Sequence, residues 1–170
     1  MNIAVFGGSF DPPHLGHKSI IQEALKSLDI DKLFVVPTYL NPFKNEYFLS
    51  PKIRLETMQN LTKEMKKVEV IEYEVMQKKK CSTIETIEYF KSKYKLDRIY
   101  LIIGADNLVS LDKWYRIDKL KEMVTFVVAS RSGIEIPSEF ISLKVENLVS
   151  SSEIRNGEKT DNEWISRKNS

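Results

Sequence analysis

Both histidines of the chain, His14 and His17, lie within the segment GGSFDPPHLGH at residues 7–17. Two imidazoles three residues apart can ligate a metal ion, donate hydrogen bonds to phosphate oxygens, or pack without a function. Zinc needs three or four His, Cys or carboxylate ligands, and the single cysteine, Cys81, is far away in the sequence. A resident metal site is therefore disfavoured, and phosphate binding and simple packing remain.

The residues around the two histidines favour phosphate binding. Gly7 and Gly8 allow a ligand to approach the backbone closely. A helix is predicted to begin near His17, and the free N–H groups at a helix start attract anions. The segment matches neither the Walker loop nor the GxGxxG pattern. A strand before it and a helix after it nevertheless predict a turn that cradles phosphate.

The apolar pattern of the chain predicts the elements that must position this turn. Short apolar segments predict strands at residues 2–6, 32–37, 68–75, 98–104, 124–130 and 142–148. Amphipathic spacing predicts helices at residues 17–28, 50–65, 82–94 and 112–123. Ser50 before Pro51, and Ser82 with Glu85, are typical of helix starts. The predicted buried face of the second helix consists of Leu55, Met58, Leu61 and Met65.

Strands that alternate with helices predict an α/β fold with a doubly wound, mainly parallel sheet. A length of 170 residues and a hydrophobic content of 42% suit a single domain. We predict that this domain spans residues 1–155 and that residues 156–170 form a short polar C-terminal tail. Ligands of such sheets bind beyond the carboxyl ends of the strands, where residues 7–17 are expected.

The composition argues against several other classes of protein. The chain has 26 basic and 24 acidic residues and a net charge of +2, which is too balanced to indicate nucleic-acid binding. No apolar segment is long enough to predict a membrane span or a signal peptide. One cysteine excludes a disulfide within the chain. We therefore expect a cytoplasmic protein that binds neither nucleic acid nor membranes.

The segment GGSFDPPHLGH resembles the first signature of the HxGH nucleotidyltransferases, and VSSSEIR at residues 149–155 resembles their second signature. The chain between them is similar to one branch, the bacterial nicotinate-nucleotide adenylyltransferases. The segments that carry this similarity, in the order found in that branch, are PTYLNPFK, CSTIETI, LIIGADNL, KWY and SRSG. The resemblance covers roughly residues 1–155.

The resemblance implies a Rossmann-like nucleotidyltransferase fold and adenylyl transfer from ATP to nicotinate mononucleotide, giving nicotinate adenine dinucleotide and pyrophosphate. It makes His14, His17 and Arg155 the catalytic residues. ATP would contact these three residues and Gly7, Gly8, Ser9, Phe10, Gly16, Lys44, Gly104, Asp106, Ser151 and Ser152. The acceptor would contact Thr38, Tyr39, Lys44, Ser82, Thr83, Asp106, Trp114, Tyr115 and Arg131. Mg²⁺ would be carried with ATP, held mainly by phosphate oxygens and water.

Other functions remain open at this point. Pantetheine-phosphate adenylyltransferase has a similar length, but its first signature resembles TxGH where this chain has His14. An enzyme that prefers nicotinamide mononucleotide and a catalytically silent nucleotide-binding regulator are the further alternatives. The predicted helix start at Ser82 and Thr83 favours an acceptor with a carboxylate, because a helix N-terminus attracts anions. We expect a monomer or a homodimer.

Overall fold

The computed structural model describes residues 1–40, 46–130 and 134–145. Its strands are β1 (Asn2–Gly8), β2 (Lys32–Pro37), β3 (Val68–Val70), β4 (Arg98–Gly104), β5 (Thr125–Ser130) and β6 (Ile141–Lys144). Its helices are α1 (Leu15–Ser27), α2 (Pro51–Thr62), α3 (Tyr73–Gln77), α4 (Thr83–Lys93) and α5 (Ile117–Met123). Two short 3₁₀ turns, Ala105–Val109 and Leu111–Lys113, follow β4.

The strands form one sheet in the order β3-β2-β1-β4-β5-β6. Every strand pair is parallel, so the chain crosses over between paired strands. The strand order reverses between β1 and β4, which makes the crevice at their carboxyl ends the switch point where such sheets bind ligands. The predicted doubly wound α/β fold is confirmed.

Helices cover both faces of the sheet, and each face has its own apolar core. Ile3 and Val5 of β1 belong to a cluster that includes the buried apolar residues of α4 and Leu120 of α5. Ala4 and Phe6, on the opposite face of the same strand, pack in a second cluster with α1 and Met58 of α2. This two-sided burial explains why the strands are almost continuously apolar.

Local capping signals position the two helices that follow β2 and α3. Ser50 accepts a hydrogen bond from the Ile53 N–H at 3.3 Å, and Pro51 occupies the first turn of α2. At α4, the Ser82 N–H donates to the Glu85 carboxylate at 2.9 Å. Both predicted helix starts are confirmed.

Several predicted boundaries of strands and helices are wrong by a few residues. Gly7 and Gly8 lie inside β1 rather than after it, and α1 begins at Leu15 with His14 as its N-cap, ahead of the predicted start at His17. α2 ends at Thr62, before the predicted end at residue 65. Helix ends fray, so such differences at termini are common.

The predicted strand at 68–75 is confirmed only over β3, which forms an edge of the sheet. Residues 73–77 are helical instead, and Lys78 ends that helix in the left-handed conformation with φ 53°. The alternation of apolar and acidic residues imitates a strand, but the helix buries Glu74 against Thr86 of α4. Tertiary contact therefore overrides the local pattern.

The predicted helix at 112–123 begins only at Ile117. Trp114 is extended, with φ −66° and ψ 141°, and Arg116 is left-handed, with φ 51°. A left-handed residue cannot continue a right-handed helix. The break lets Trp114 pack against the core cluster that contains α4.

The last strand, predicted at 142–148, is β6 at Ile141–Lys144. The second signature at residues 149–155 and the predicted tail at 156–170 lie outside the described residues. Among the helices of the described ranges, none combines the length and the apolar character needed to cross a bilayer.

Candidate active site

The turn from β1 to α1 carries the two histidines and is held in an unusual backbone conformation. Phe10 has φ 48°, a left-handed conformation that costs a bulky residue on the order of 1–3 kcal/mol. Its buried ring offsets this cost by packing edge-on against Phe6, at 5.2 Å between centroids, and against His17, at 4.8 Å. Aromatic packing of Phe10 against Phe6 and His17 thus fixes the conformation of this turn.

The two imidazoles lie against each other at the start of α1. Their rings stack with centroids 3.7 Å apart and planes 21° apart. The His14 N–H donates to Nδ1 of His17 at 3.1 Å, and the His17 N–H donates to the carbonyl of His14 at 3.1 Å. Backbone and side chains therefore hold the two rings as one unit.

The hydrogen bond from the His14 N–H to Nδ1 determines which nitrogen of His17 can donate to a ligand. Because Nδ1 accepts from a backbone N–H, the neutral ring carries its proton on Nε2. Nε2–H remains available as a donor. His14 is only 2% exposed, and its Nδ1 has no hydrogen-bond partner among the described residues.

Both histidines are neutral near pH 7 in the free protein. Burial lowers the pKa of His14 to about 4. Burial also lowers the pKa of His17 well below its ordinary value of 6.5, and repulsion from His14 adds to the effect. The site therefore offers neutral N–H donors. A bound polyanion would raise both pKa values, because a nearby negative charge favours the protonated form.

Four buried polar side-chain atoms lack a partner within residues 1–40, 46–130 and 134–145. They are His14 Nδ1, Thr38 Oγ1, Ser82 Oγ and Ser130 Oγ. His14, Thr38 and Ser130 lie at the carboxyl edge of the sheet, beyond β1, beyond β2 and at the end of β5. Ser82 caps α4, whose N-terminus faces the same edge because crossover helices run opposite to the strands. Buried polar groups rarely stay unpaired, so their concentration here favours a polar ligand.

The glycines around the crevice are suited to close contact with a ligand. A Cβ at Gly7 would meet only the Val36 carbonyl oxygen, at 3.9 Å, so the space beside this backbone is open. A Cβ at Gly104 would lie 2.6 Å from the Asp106 carboxylate. Gly104 therefore lets Asp106, which is exposed directly after β4, fold back over the strand end.

The sheet brings several predicted residues together. Gly8 is in register with Pro37, and the Thr38 N–H donates to the Gly8 carbonyl at 3.0 Å. Phe6 is in register with Ile102, so the ends of β1 and β4 lie side by side. Gly16 is buried in the first turn of α1.

The predicted acceptor residues after α3 and β4 occupy the same edge of the sheet. Ser82 and Thr83 start α4, and Trp114 is partly buried against the core. Tyr115 is 64% exposed, so only its neighbour Trp114 is anchored. Lys44, Arg131, Ser151, Ser152 and Arg155 lie outside the described residues.

Behind the start of α4 lies a buried carboxyl group that the sequence patterns did not indicate. Glu74 is 5% exposed and accepts a hydrogen bond from the Thr86 hydroxyl. Burial raises the pKa of Glu74 to about 8; the charge of Glu85 adds to the rise and the Thr86 hydrogen bond opposes it. Glu74 is thus largely uncharged at pH 7, so the negative charge at the N-terminus of α4 is that of Glu85.

Glu74→Gln should become more stable relative to wild type as pH rises from 5 to 8. The folded pKa, about 8, exceeds the ordinary value of 4.5, so the folded state binds the proton more tightly. Wild-type stability therefore falls across this window and levels off above it. The amide does not ionise, and the difference in unfolding free energy should grow by up to about 1.4 kcal/mol per pH unit. Urea unfolding at several pH values measures it.

Glu64→Gln, at an exposed carboxylate just after α2, is the matched control for this experiment. Its difference from wild type should stay constant over the same pH range. A constant difference for Glu74→Gln as well would show that Glu74 is not held in a protonated state.

Sequence reasoning also missed Asp11 and Arg54. Asp11 is buried within the quoted segment, and Arg54 is 1% exposed in α2. An arginine in an amphipathic helix usually faces solvent, so the pattern gave no reason to single out Arg54. One signal was present: Arg54 is four residues from Met58, and both therefore lie on the same face of the helix. That face buries Arg54, Thr57 and Met58, whereas the predicted Leu55 stays partly exposed.

Within the described part of the chain, no group of three or more His, Cys, Asp or Glu side chains is placed to hold a metal ion.

Comparison with known proteins places this geometry in a family. The model of the cytidylyltransferase-like family matches residues 5–157. A protein of Sulfurimonas denitrificans named "probable nicotinate-nucleotide adenylyltransferase" is 51% identical over 90% of this chain and 83% of its own length. A protein of Campylobacter fetus with the same name is 49% identical over 92% of this chain and 86% of its own.

Solved structures share the fold. The nicotinic acid mononucleotide adenylyltransferase of Plasmodium falciparum, in its complex with NaAD, superposes with a TM-score of 0.73 at 20% identity. The superposition covers 91% of this chain and 82% of that one. The chain described here belongs to the cytidylyltransferase-like family, in the branch formed by the nicotinate-nucleotide adenylyltransferases.

Proposed function

We propose that this protein transfers the adenylyl group of ATP to nicotinate mononucleotide, giving nicotinate adenine dinucleotide and pyrophosphate. The observation that carries the proposal is the stacked, neutral His14–His17 pair at the switch point of the sheet, with Nε2–H of His17 available to donate. The names of the relatives at 49–51% identity support the same reaction. So do the structures of the Plasmodium falciparum protein complexed with NaAD and with APC.

In the proposed reaction a 5′-phosphate oxygen of nicotinate mononucleotide attacks the α-phosphorus of ATP. The bond from this phosphorus to the oxygen bridging to the β-phosphate breaks, and that electron pair leaves with pyrophosphate. No covalent enzyme intermediate is needed, so catalysis consists of positioning and charge stabilisation. His17, with His14 stacked on it, would donate to the phosphate oxygens as charge develops there.

The remaining ATP contacts are proposed from where the residues lie in the fold or in the sequence. The open backbone at Gly7, followed by Gly8 beneath the Phe10 ring and by the N–H groups of Ser9 and Phe10, would lie along the phosphates. Asp106 would accept hydrogen bonds from ribose hydroxyls at the end of β4. Lys44, Ser151, Ser152 and Arg155 complete the proposed phosphate contacts on the strength of the sequence alone. Mg²⁺ would arrive with ATP.

The start of α4 supports an acceptor that carries a carboxylate. The N–H groups in the first turn of α4 and the helix dipole favour an anion by about 0.3–1 kcal/mol, beside the Glu85 carboxylate that already accepts from the Ser82 N–H. Glu74, largely uncharged behind this helix start, adds no further negative charge at pH 7. Trp114 would stack on the pyridine ring, with Thr38, Tyr39, Tyr115 and Arg131 around the acceptor.

The proposal takes residues 1–155 as the working domain, residues 156–170 as a polar tail, and the cytoplasm as its location. We expect the protein to act as a monomer or a homodimer without nucleic acid or membrane partners.

Pyrophosphate release tests the proposed function. The protein is incubated with ATP and Mg²⁺ together with nicotinate mononucleotide, nicotinamide mononucleotide or 4′-phosphopantetheine in parallel. We expect the highest kcat/KM with nicotinate mononucleotide. Release with 4′-phosphopantetheine alone would identify the related pantetheine enzyme instead. ATP binding without release from any acceptor would identify a regulator.

A further inference from the structure

The most deeply buried cation of the described chain is Arg54, whose side chain is 1% exposed. A buried charge without partners is strongly unfavourable, so an arginine persists inside a protein only where its donors are used. Burial lowers the pKa of the Arg54 guanidinium, and the nearby Asp11 carboxylate and Tyr47 oppose this effect. Arginine stays protonated in proteins, and its donors reach four backbone oxygens.

The four acceptors belong to three separate segments of the chain. Nη1 donates to the carbonyls of Ser9 and Thr38, each at 2.7 Å. Nη2 donates to the Tyr39 carbonyl at 2.7 Å, and Nε donates to the Leu49 carbonyl at 3.0 Å. One side chain thus ties together the turn after β1, the loop after β2 and the residues that lead into α2.

Asp11 makes a matching set of contacts from the turn after β1. Its two carboxylate oxygens accept from the Phe48 and Leu49 N–H groups, each at 2.6 Å. Asp11 stands three residues before His14. The Leu49 carbonyl therefore accepts from Arg54, and the Leu49 N–H donates to Asp11. These contacts link α2 to the segment that leads into the two histidines.

We propose that Arg54, together with Asp11, is the positioning device of this site: it fixes the turn that carries His14 and His17 relative to the loop after β2. Its consequence for catalysis rests on the proposed function. Phosphoryl transfer without a covalent intermediate depends on alignment, and a misplacement of about 1 Å can cost on the order of 100-fold in rate.

Lysine cannot replace Arg54 in this arrangement. The guanidinium is a planar fork with five donors, and three of its nitrogens reach the four carbonyls from different sides. An ammonium group donates from a single point. Arg54→Lys therefore keeps the charge but loses the connection between at least two of the three segments.

Two readouts test the inference on Arg54→Lys. The first is kcat of pyrophosphate release, which should fall about 10- to 100-fold, with KM for both substrates changing less than kcat. The second is hydrogen exchange of the Thr38 N–H, which donates to the Gly8 carbonyl at 3.0 Å and so joins the loop after β2 to the end of β1. We expect this amide to exchange faster in Arg54→Lys than in the wild type.

Arg98→Lys is the matched control, because Arg98 lies at the amino end of β4 and bonds only to the Tyr100 hydroxyl in the described chain, at 3.3 Å. It should keep both kcat and the exchange rate of the Thr38 N–H. If Arg54→Lys does not fold, Asp11→Asn carries the same two readouts, since an amide offers one acceptor oxygen where the carboxylate uses two.

A folded Arg54→Lys protein with unchanged exchange of the Thr38 N–H and a kcat within threefold of wild type would overturn the inference, even if its melting temperature fell. A wild-type protein that releases no pyrophosphate with nicotinate mononucleotide would refute the proposed function instead. Exchange of the Thr38 N–H would then still decide whether Arg54 holds the turn after β1 against the loop after β2.

Discussion

Replacing His17 with asparagine should lower kcat for adenylyl transfer about 10²–10³-fold while the protein stays folded. The asparagine oxygen can take the place of Nδ1 and accept the His14 N–H, which lies 3.1 Å from that nitrogen in the wild type. Asparagine has no atom at the position of Nε2, so the donor to the phosphates is lost. Pyrophosphate release at saturating substrate measures the loss, and circular dichroism with a melting curve reports the fold.

Two further variants separate the donor from the local structure. In His17→Gln the side-chain amide nitrogen can reach the position of Nε2. The kcat of this variant should be at least about tenfold higher than that of His17→Asn, because one donor to the phosphates is restored. Ser19→Ala removes a hydroxyl that bonds the Leu15 carbonyl at 3.1 Å in the same helix, and should leave kcat unchanged. A His17→Asn enzyme with more than a third of the wild-type kcat would refute the donor role of His17.

The fold was largely predictable because its strands are buried on both faces. Residues 32–37 and 98–104 are continuous apolar segments, and both are strands over the predicted ranges. The errors lie where tertiary contacts outweigh the local pattern. Glu74 is helical because its carboxyl packs under α4, and Trp114 interrupts a helix because its ring joins the core. Neither contact has a signature in nearby sequence.

The candidate site was predictable in position but not in how it is held. The two histidines, the glycines before them and the start of α4 follow from residue types at helix and strand ends. The role of Arg54 does not follow from residue types, because its four acceptors are backbone carbonyls and every residue has one. The charge state of the histidines also required the structure, since burial lowers both pKa values.

The double variant His14→Ala, His17→Ala should lose little more activity than the worse of the two single variants. The two rings stack at 3.7 Å, and the backbone of each residue bonds the other. Removing either ring therefore removes the support that aligns its neighbour. Groups that act as a unit give strongly non-additive losses, and we expect the double variant to fall within about tenfold of the worse single variant.

A double-mutant cycle on kcat measures this coupling, with all four proteins assayed at the same saturating substrate concentrations. Combining His17→Ala with Ser19→Ala is the control cycle, and its effects should simply multiply, because the Ser19 hydroxyl bonds to Leu15 rather than to either ring. Losses that multiply for the two histidines as well would mean that each ring acts on a different phosphate independently. In that case the stacking would be a consequence of crowding at the start of α1, and not the means by which His14 holds His17 in line with the phosphorus under attack.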